Sequence, residues 1–127
     1  MNLEISQSIL GAIARESGDI DASKRYLLSS IDAAREKKSF QVLCGSLFHL
    51  ARLYFDCGET EKGSGYLKQA VELASGNRYF MFWDIHLPTM TDMMLRSIRY
   101  GYCSDYAREL LNRLYSPRAV SYLCEKI

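Results

Sequence analysis

The sequence predicts an all-α fold: an α-α superhelix of three helix pairs closed by a C-terminal capping helix. Three observations carry that expectation. The chain matches itself at an offset of about 40 residues, its apolar residues recur at helical spacing, and its 127 residues include only two prolines, Pro88 and Pro117. At that offset Leu10 meets Leu50, Ile13 meets Leu53 and Gly18 meets Gly58, while Asp19 and Asp21 meet Glu59 and Glu61. Tyr26-Leu27 then meets Tyr66-Leu67, Ser30 meets Ala70, Ile31 meets Val71 and Ala34 meets Ala74. A repeat of this length is one supersecondary unit that buries its apolar face by stacking on its neighbours. The expected units span about 2–38, 39–77 and 78–115, with a terminal helix over 117–127, all in a single domain of 1–127.

In the first unit, Ile5, Ile9, Leu10, Ile13 and Ala14 form the apolar stripe of a first helix. Gly18 supplies the positive φ that ends it. Asp19 caps a second helix whose packed side is Ile20, Tyr26, Leu27, Ile31 and Ala34. The second unit repeats the scheme with Leu43, Leu47, Leu50, Leu53 and Tyr54, then Gly58, then Tyr66, Leu67, Ala70, Val71 and Ala74. Small residues at Gly11, Ser30, Ala51 and Ala70 sit where two helix backbones approach closely. Gly63 and Gly65 each cost about 1 kcal/mol against alanine in an exposed helix interior, and close packing that needs the missing side chain would explain them.

In the third unit, Pro88 suits a first helical turn, Thr91, Met94, Leu95 and Ile98 follow at helical spacing, and Gly101-Tyr102 marks the turn. Ala107, Leu110, Leu111 and Leu114 make the next stripe. Two registers compete. Counting from Gly101 packs Ser97 and Tyr106; counting one residue later packs Ile98 and Ala107. The later register buries more apolar surface and is the one expected. Ser116-Pro117 is a helix-start signal, and Ala119, Val120, Leu123 and Ile127 make the apolar side of a seventh helix.

Sixteen basic against fifteen acidic residues leave a net charge of +1, and 48% of the chain is apolar. Such a balance lacks the basic face of a nucleic-acid binder, so no direct nucleic-acid contact is expected. No apolar run is long enough for a membrane span, and no pattern reads as a signal peptide. Cys44, Cys57, Cys103 and Cys124 are scattered, with no C-x-x-C pair and no histidine at ligand spacing. They read as small buried hydrophobes of a reducing cytosol, which implies a cytoplasmic protein with no metal and no cofactor.

The segments Leu10-Gly11, Gly18-Asp19-Ile20-Asp21, Tyr26-Leu27 and Ser30 together resemble a tetratricopeptide repeat (TPR). So do Leu50-Ala51, Tyr54, Gly58-Glu59, Tyr66-Leu67 and Ala70. The period, about 40 instead of the usual 34 residues, is similar to that of the MalT-type, LuxR-family bacterial transcriptional activators. Trp83, Pro88, Met90, Leu95, Gly101, Tyr106 and Leu110-Leu111 look like the end of that region in such regulators and in related bacterial transcriptional-activator-domain proteins. The resemblance implies a TPR-like solenoid serving as the sensor or interaction region of a bacterial transcriptional regulator. No G-x-x-x-x-G-K-[ST] and no basic recognition helix occur in the chain, so nucleotide and DNA binding are not carried over.

No catalytic constellation emerges, and the chain is not expected to be an enzyme. Asp19, Asp21, Glu59 and Glu61 occupy equivalent first-turn positions, where they complement helix N-termini. Asp84 and His86 lie two residues apart, a spacing at which helical side chains diverge. The aromatic cluster Tyr79, Phe80, Phe82 and Trp83 reads either as core between the second and third units or as a partly exposed hot spot.

In a helix-pair solenoid the first helices line the concave surface. One step around from their packed stripes lie Ala12 and Arg15, then Phe48, Arg52 and Phe55, then Asp92, Arg96, Arg99 and Tyr100. Phe48, Arg52, Phe55, Arg96, Arg99 and Tyr100 are therefore the expected partner-binding residues. Arginines interleaved with aromatics suit an extended peptide with acidic groups or a terminal carboxylate. The partner is a protein, a peptide or a second copy of the chain; a small ligand in the groove or at the aromatic cluster is the alternative. Salt-bridging of Arg52 and Arg96 within the fold would make this groove assignment wrong. Lys24 and Lys68 are expected on the outer face, away from the groove.

Overall fold

The computed structural model describes residues 3–82 and 85–126, and over them the chain is all-helical, with no strand. The helices among the described residues are α1 (Leu3–Glu16), α2 (Ile20–Lys37), α3 (Phe40–Asp56), α4 (Thr60–Asn77), α5 (Leu87–Tyr100), α6 (Ser104–Leu114) and α7 (Pro117–Glu125). None of them is long and apolar enough to cross a membrane. Helix α1 packs along α2, α2 along α3, α3 along α4, and α5 on α6.

One turn is built three times. Gly18, Gly58 and Gly101 take φ of 82°, 78° and 76°, a region that disfavours any Cβ. The next residue's N–H then reaches back into the helix just ended. Asp19 donates to the Ala14 carbonyl at 2.9 Å, Glu59 to Tyr54 at 2.9 Å and Tyr102 to Ser97 at 2.8 Å, satisfying carbonyls that the helix end leaves open. Asp19 caps α2 by accepting from the Ala22 N–H at 3.1 Å, and Ser116 caps α7 by accepting from Ala119 at 3.2 Å. Glu59 makes no capping bond; it pairs instead with Lys24 at 3.8 Å and Lys62 at 3.4 Å.

The core runs through Leu27, Ile31 and Ala34 of α2, Leu47, Leu50 and Leu53 of α3, and Leu67, Val71 and Ala74 of α4. Helix α1 differs from expectation. Its buried face is Glu4, Ser8, Gly11 and Ala14, while Leu10 and Ile13 are exposed and Ile5 and Ile9 are half-buried. Two features select the polar, small face. A Cβ on Gly11 would lie 2.6 Å from Leu27 Cγ, so α2 approaches there more closely than any side chain allows. Hydroxyls of α2 also bond α1 carbonyls: Ser23 Oγ to Gly11 at 2.7 Å and Ser30 Oγ to Glu4 at 2.7 Å.

The third unit also corrects the expected register. Met90, Met93, Met94 and Ser97 are buried, whereas Thr91, Leu95 and Ile98 are half-buried; on α6 both Tyr106 and Ala107 are buried. The turn decides it, because Ser97 takes the place that Ala14 and Tyr54 take before their glycines. Burying Ser97 is cheap because its hydroxyl donates to the Met93 carbonyl at 2.8 Å. Gly63 has the packing reason expected of it, since a Cβ there would lie 2.9 Å from the Phe55 ring. Gly65 has none, with nothing within 4 Å of an added Cβ. On α7, Val120 is buried and Ala119 and Leu123 are half-buried; Ile127 lies outside the described residues.

Between α4 and α5 the chain ties α3 to α6. Phe82 meets Phe48 edge-on with ring centroids 5.3 Å apart, and Phe80 lies 5.2 Å from Tyr106. The Tyr106 hydroxyl donates to the Tyr79 carbonyl, and burial pushes its ionisation well above the usual phenol range. Guanidinium carbons of Arg78 and Arg113 sit 4.7 and 3.8 Å from the Phe80 centroid, and both arginines pair with Glu109. The Arg78 hydrogen bond holds the Glu109 carboxyl below the usual carboxylate range. Tyr79, Phe80 and Phe82 thus pack against the core. Trp83 and Asp84 lie outside the described residues, and His86 is exposed at the start of α5.

Candidate functional site

The face shared by α1, α3 and α5 carries a ladder of alternating charge. Arg15 on α1 reaches Asp56 on α3 at 3.2 Å; Arg52, one turn before Asp56, pairs with it at 3.0 Å. Arg52 also reaches Asp92 on α5 at 3.3 Å, and Asp92 pairs with Arg96 at 3.1 Å. The spacing explains the register: Arg52 to Asp56 and Asp92 to Arg96 are i,i+4 pairs on one helix face, and α3 sits between the other two helices of this face. Three arginines therefore share two aspartates across three helices.

Arg96 is held from two sides. Its Nε donates to Asp92, and its guanidinium carbon lies 4.0 Å from the Phe55 ring centroid, a cation–π contact. Among the described residues neither terminal nitrogen of Arg96 has a hydrogen-bond partner, and a third of its side chain is exposed. Phe55 in turn stacks near Tyr100, with centroids 6.5 Å apart and planes 16° from parallel, and Tyr100 lies 5.5 Å from Tyr102. The Tyr102 hydroxyl meets Ser64 of α4 at 2.6 Å. The aromatic row thus continues from the arginine ladder toward α4.

Of the six expected partner-binding residues, Arg52, Phe55, Arg96 and Tyr100 gather here. Phe48 does not belong: it is fully buried against Phe82, because the segment between α4 and α5 covers that side of α3. Arg99 is exposed on α5. Arg52 and Arg96 are ion-paired within the fold, Arg52 with Asp56 and Asp92 and Arg96 with Asp92, which overturns the expected groove of two free guanidinium groups. Lys68 is not remote from this face either, since its ammonium lies 5.9 Å from the Tyr102 centroid. Lys24 pairs with Glu59 and lies 5.1 Å from the Tyr54 centroid.

Two polar features escaped the sequence reading. The carboxylate of Glu4, on a buried side chain, accepts from Lys37 at 3.1 Å and Ser39 at 3.2 Å, joining α1 to the end of α2 and the start of α3. Its own backbone N–H, opposed by burial and helped by Lys37 and Ser39, holds this carboxyl below the usual carboxylate range. Ser46 Oγ lies 2.8 Å from Ser30 Oγ and 3.1 Å from Ser8 Oγ, a hydroxyl chain across α1, α2 and α3.

An apolar concavity of about 290 Å³ is lined by residues that include Phe80, Phe82, Ile85, Met90, Leu110 and Leu114. Among the described residues no three His, Cys, Asp or Glu side chains gather as a metal site would need. Comparison with protein-family models, curated proteins and solved structures gives no match to this chain.

Proposed function

We infer that the chain is a non-catalytic module that binds a protein or an extended peptide on the α1/α3/α5 face. The supporting observation is Arg96, stacked on Phe55 and tethered to Asp92 through Nε, with both terminal nitrogens left for a ligand carboxylate. Holding a guanidinium in place before binding reduces the ordering cost of a bidentate contact. Phe55 and Tyr100 add apolar area, the aromatic-plus-arginine composition enriched at binding hot spots. The pairwise packing of α1 on α2 and α3 on α4, with the repeated glycine turn, supports a TPR-like superhelix as the scaffold. Its period of about 40 residues supports a setting within a bacterial transcriptional regulator in the cytoplasm.

A panel of extended peptides with free or amidated C-termini tests this reading by calorimetry. Replacing Arg96 with Ala should weaken binding of free-carboxylate peptides by about 1.4 kcal/mol or more, roughly tenfold. Arg25→Ala with Arg118→Ala, both on exposed residues away from this face, serves as the control. Equal losses in both variants would refute the site. The alternative is a small-ligand sensor, favoured by the apolar concavity lined by Phe80, Phe82 and Met90, whose volume is at the lower end for small-molecule sites. Ligand binding that resists the Arg96 change but is lost in Met90→Trp would favour it.

A further inference from the structure

We propose that the outer face of α1 is a docking surface for another helix pair of the same repeat type, seated on α1 as the α1–α2 pair is seated on α3. The face consists of Leu3, Ser6, Leu10 and Ile13, and Leu3, Leu10 and Ile13 are 55%, 42% and 56% exposed. At the repeat offset these four residues match Leu43, Ser46, Leu50 and Leu53 of α3, all of which are buried. Both sets step by three, four and three residues, which places each on one helical stripe.

The chain itself shows what such a stripe packs against. In α3 the Ser46 hydroxyl meets Ser30 of α2 and Ser8 of α1, so the stripe faces the preceding helix pair. In α1 the side that meets α2 is a different one, marked by the bonds from Ser23 to Gly11 and from Ser30 to Glu4. The stripe of α1 therefore points where α3 receives α1 and α2, and there Leu3, Leu10 and Ile13 are exposed, with no described helix over them. It bears no charge, since Glu4 is buried elsewhere and Arg15 is paired with Glu16 and Asp56. The occupant it fits is an amphipathic second helix with small residues and branched aliphatics on one side, as in Ser23, Leu27, Ser30, Ile31 and Ala34 of α2. This surface lies apart from the arginine ladder and does not depend on it.

The test extends the full chain by a second copy of residues 1–40 placed directly before Met1, which preserves the repeat offset of about 40 residues. The added pair should dock on the original α1, giving one cooperative transition and a melting temperature higher by about 5 °C or more. Leu10→Glu with Ile13→Glu in the original copy should abolish that rise, yet move the unextended chain by less than about 2 °C. The proposal is overturned if the extension adds no stability, if the rise survives the double substitution, or if that substitution unfolds the unextended chain. It is equally overturned if sedimentation shows the unextended chain pairing with itself through this face, dimeric as wild type and monomeric with the two glutamates.

Discussion

Helices α1 and α3 carry the same stripe and meet opposite fates. Leu50 is fully buried and Leu10 is 42% exposed, although they sit at equivalent places in equivalent helices. The difference lies in the neighbours: α3 has α1 and α2 on one side and α4 on the other, whereas the stripe of α1 has no described helix against it. The inner faces differ too. Gly11 on α1 meets α2 at a distance that excludes a methyl group, while its counterpart Ala51 is accommodated and fully buried in α3. Likewise Glu4 and Cys44 are equivalent buried residues, one a carboxylate bonded to Lys37 and Ser39, the other a thiol donating to the Ala70 carbonyl at 3.2 Å. A repeat thus conserves which residues share a face, and the neighbours set what each face must tolerate.

Substitutions at paired positions measure that difference directly. Leu50→Ala should cost about 2–5 kcal/mol in urea unfolding, as for other fully buried leucines, against under about 0.5 kcal/mol for Leu10→Ala. Equal costs would mean that α1 is covered and the comparison is false. Gly11→Ala should cost about 1–3 kcal/mol, because the fully buried Leu27 has little room to yield to the added methyl; a neutral result would show that α1 and α2 are less tightly apposed. Within α4 the same logic separates two glycines. Gly65→Ala should stabilise by up to about 1 kcal/mol, since the position is helical and open, whereas Gly63→Ala must displace the Phe55 ring and should give no such gain.

The acid response of Glu4 is the last of these tests. Its carboxyl is held below the usual range in the folded chain, so folding favours the ionised form. Glu4 therefore stabilises the fold above the ordinary carboxylate range, and that contribution disappears as pH falls through the lowered folded value. Denaturant midpoints from about pH 6 down to 3 should fall more steeply for the wild type than for Glu4→Gln. Parallel curves would show that the Lys37 and Ser39 contacts do not persist in solution.

The all-α class, the glycine turns at Gly18, Gly58 and Gly101, and the caps at Asp19 and Ser116 were legible in the sequence because each is local: periodicity, positive φ and a capping oxygen act within a few residues. So was the packed face of α3, where apolar residues are dense enough that most choices of stripe are buried. The packed face of α1 and the register of α5 were not legible. Counting apolar residues favoured Leu10, Ile13 and Ile98, but close backbone approach at Gly11 and the internally bonded hydroxyl of Ser97 made small and polar residues the buried ones. Nor does sequence spacing show that Arg52 reaches Asp92 on another helix, or that Phe82 covers Phe48, since these partners lie about 35 to 40 residues apart. Local sequence determines the helices and the residues that lie together on each face. Burial and charge pairing depend on which helix arrives opposite, and only the tertiary structure decides that.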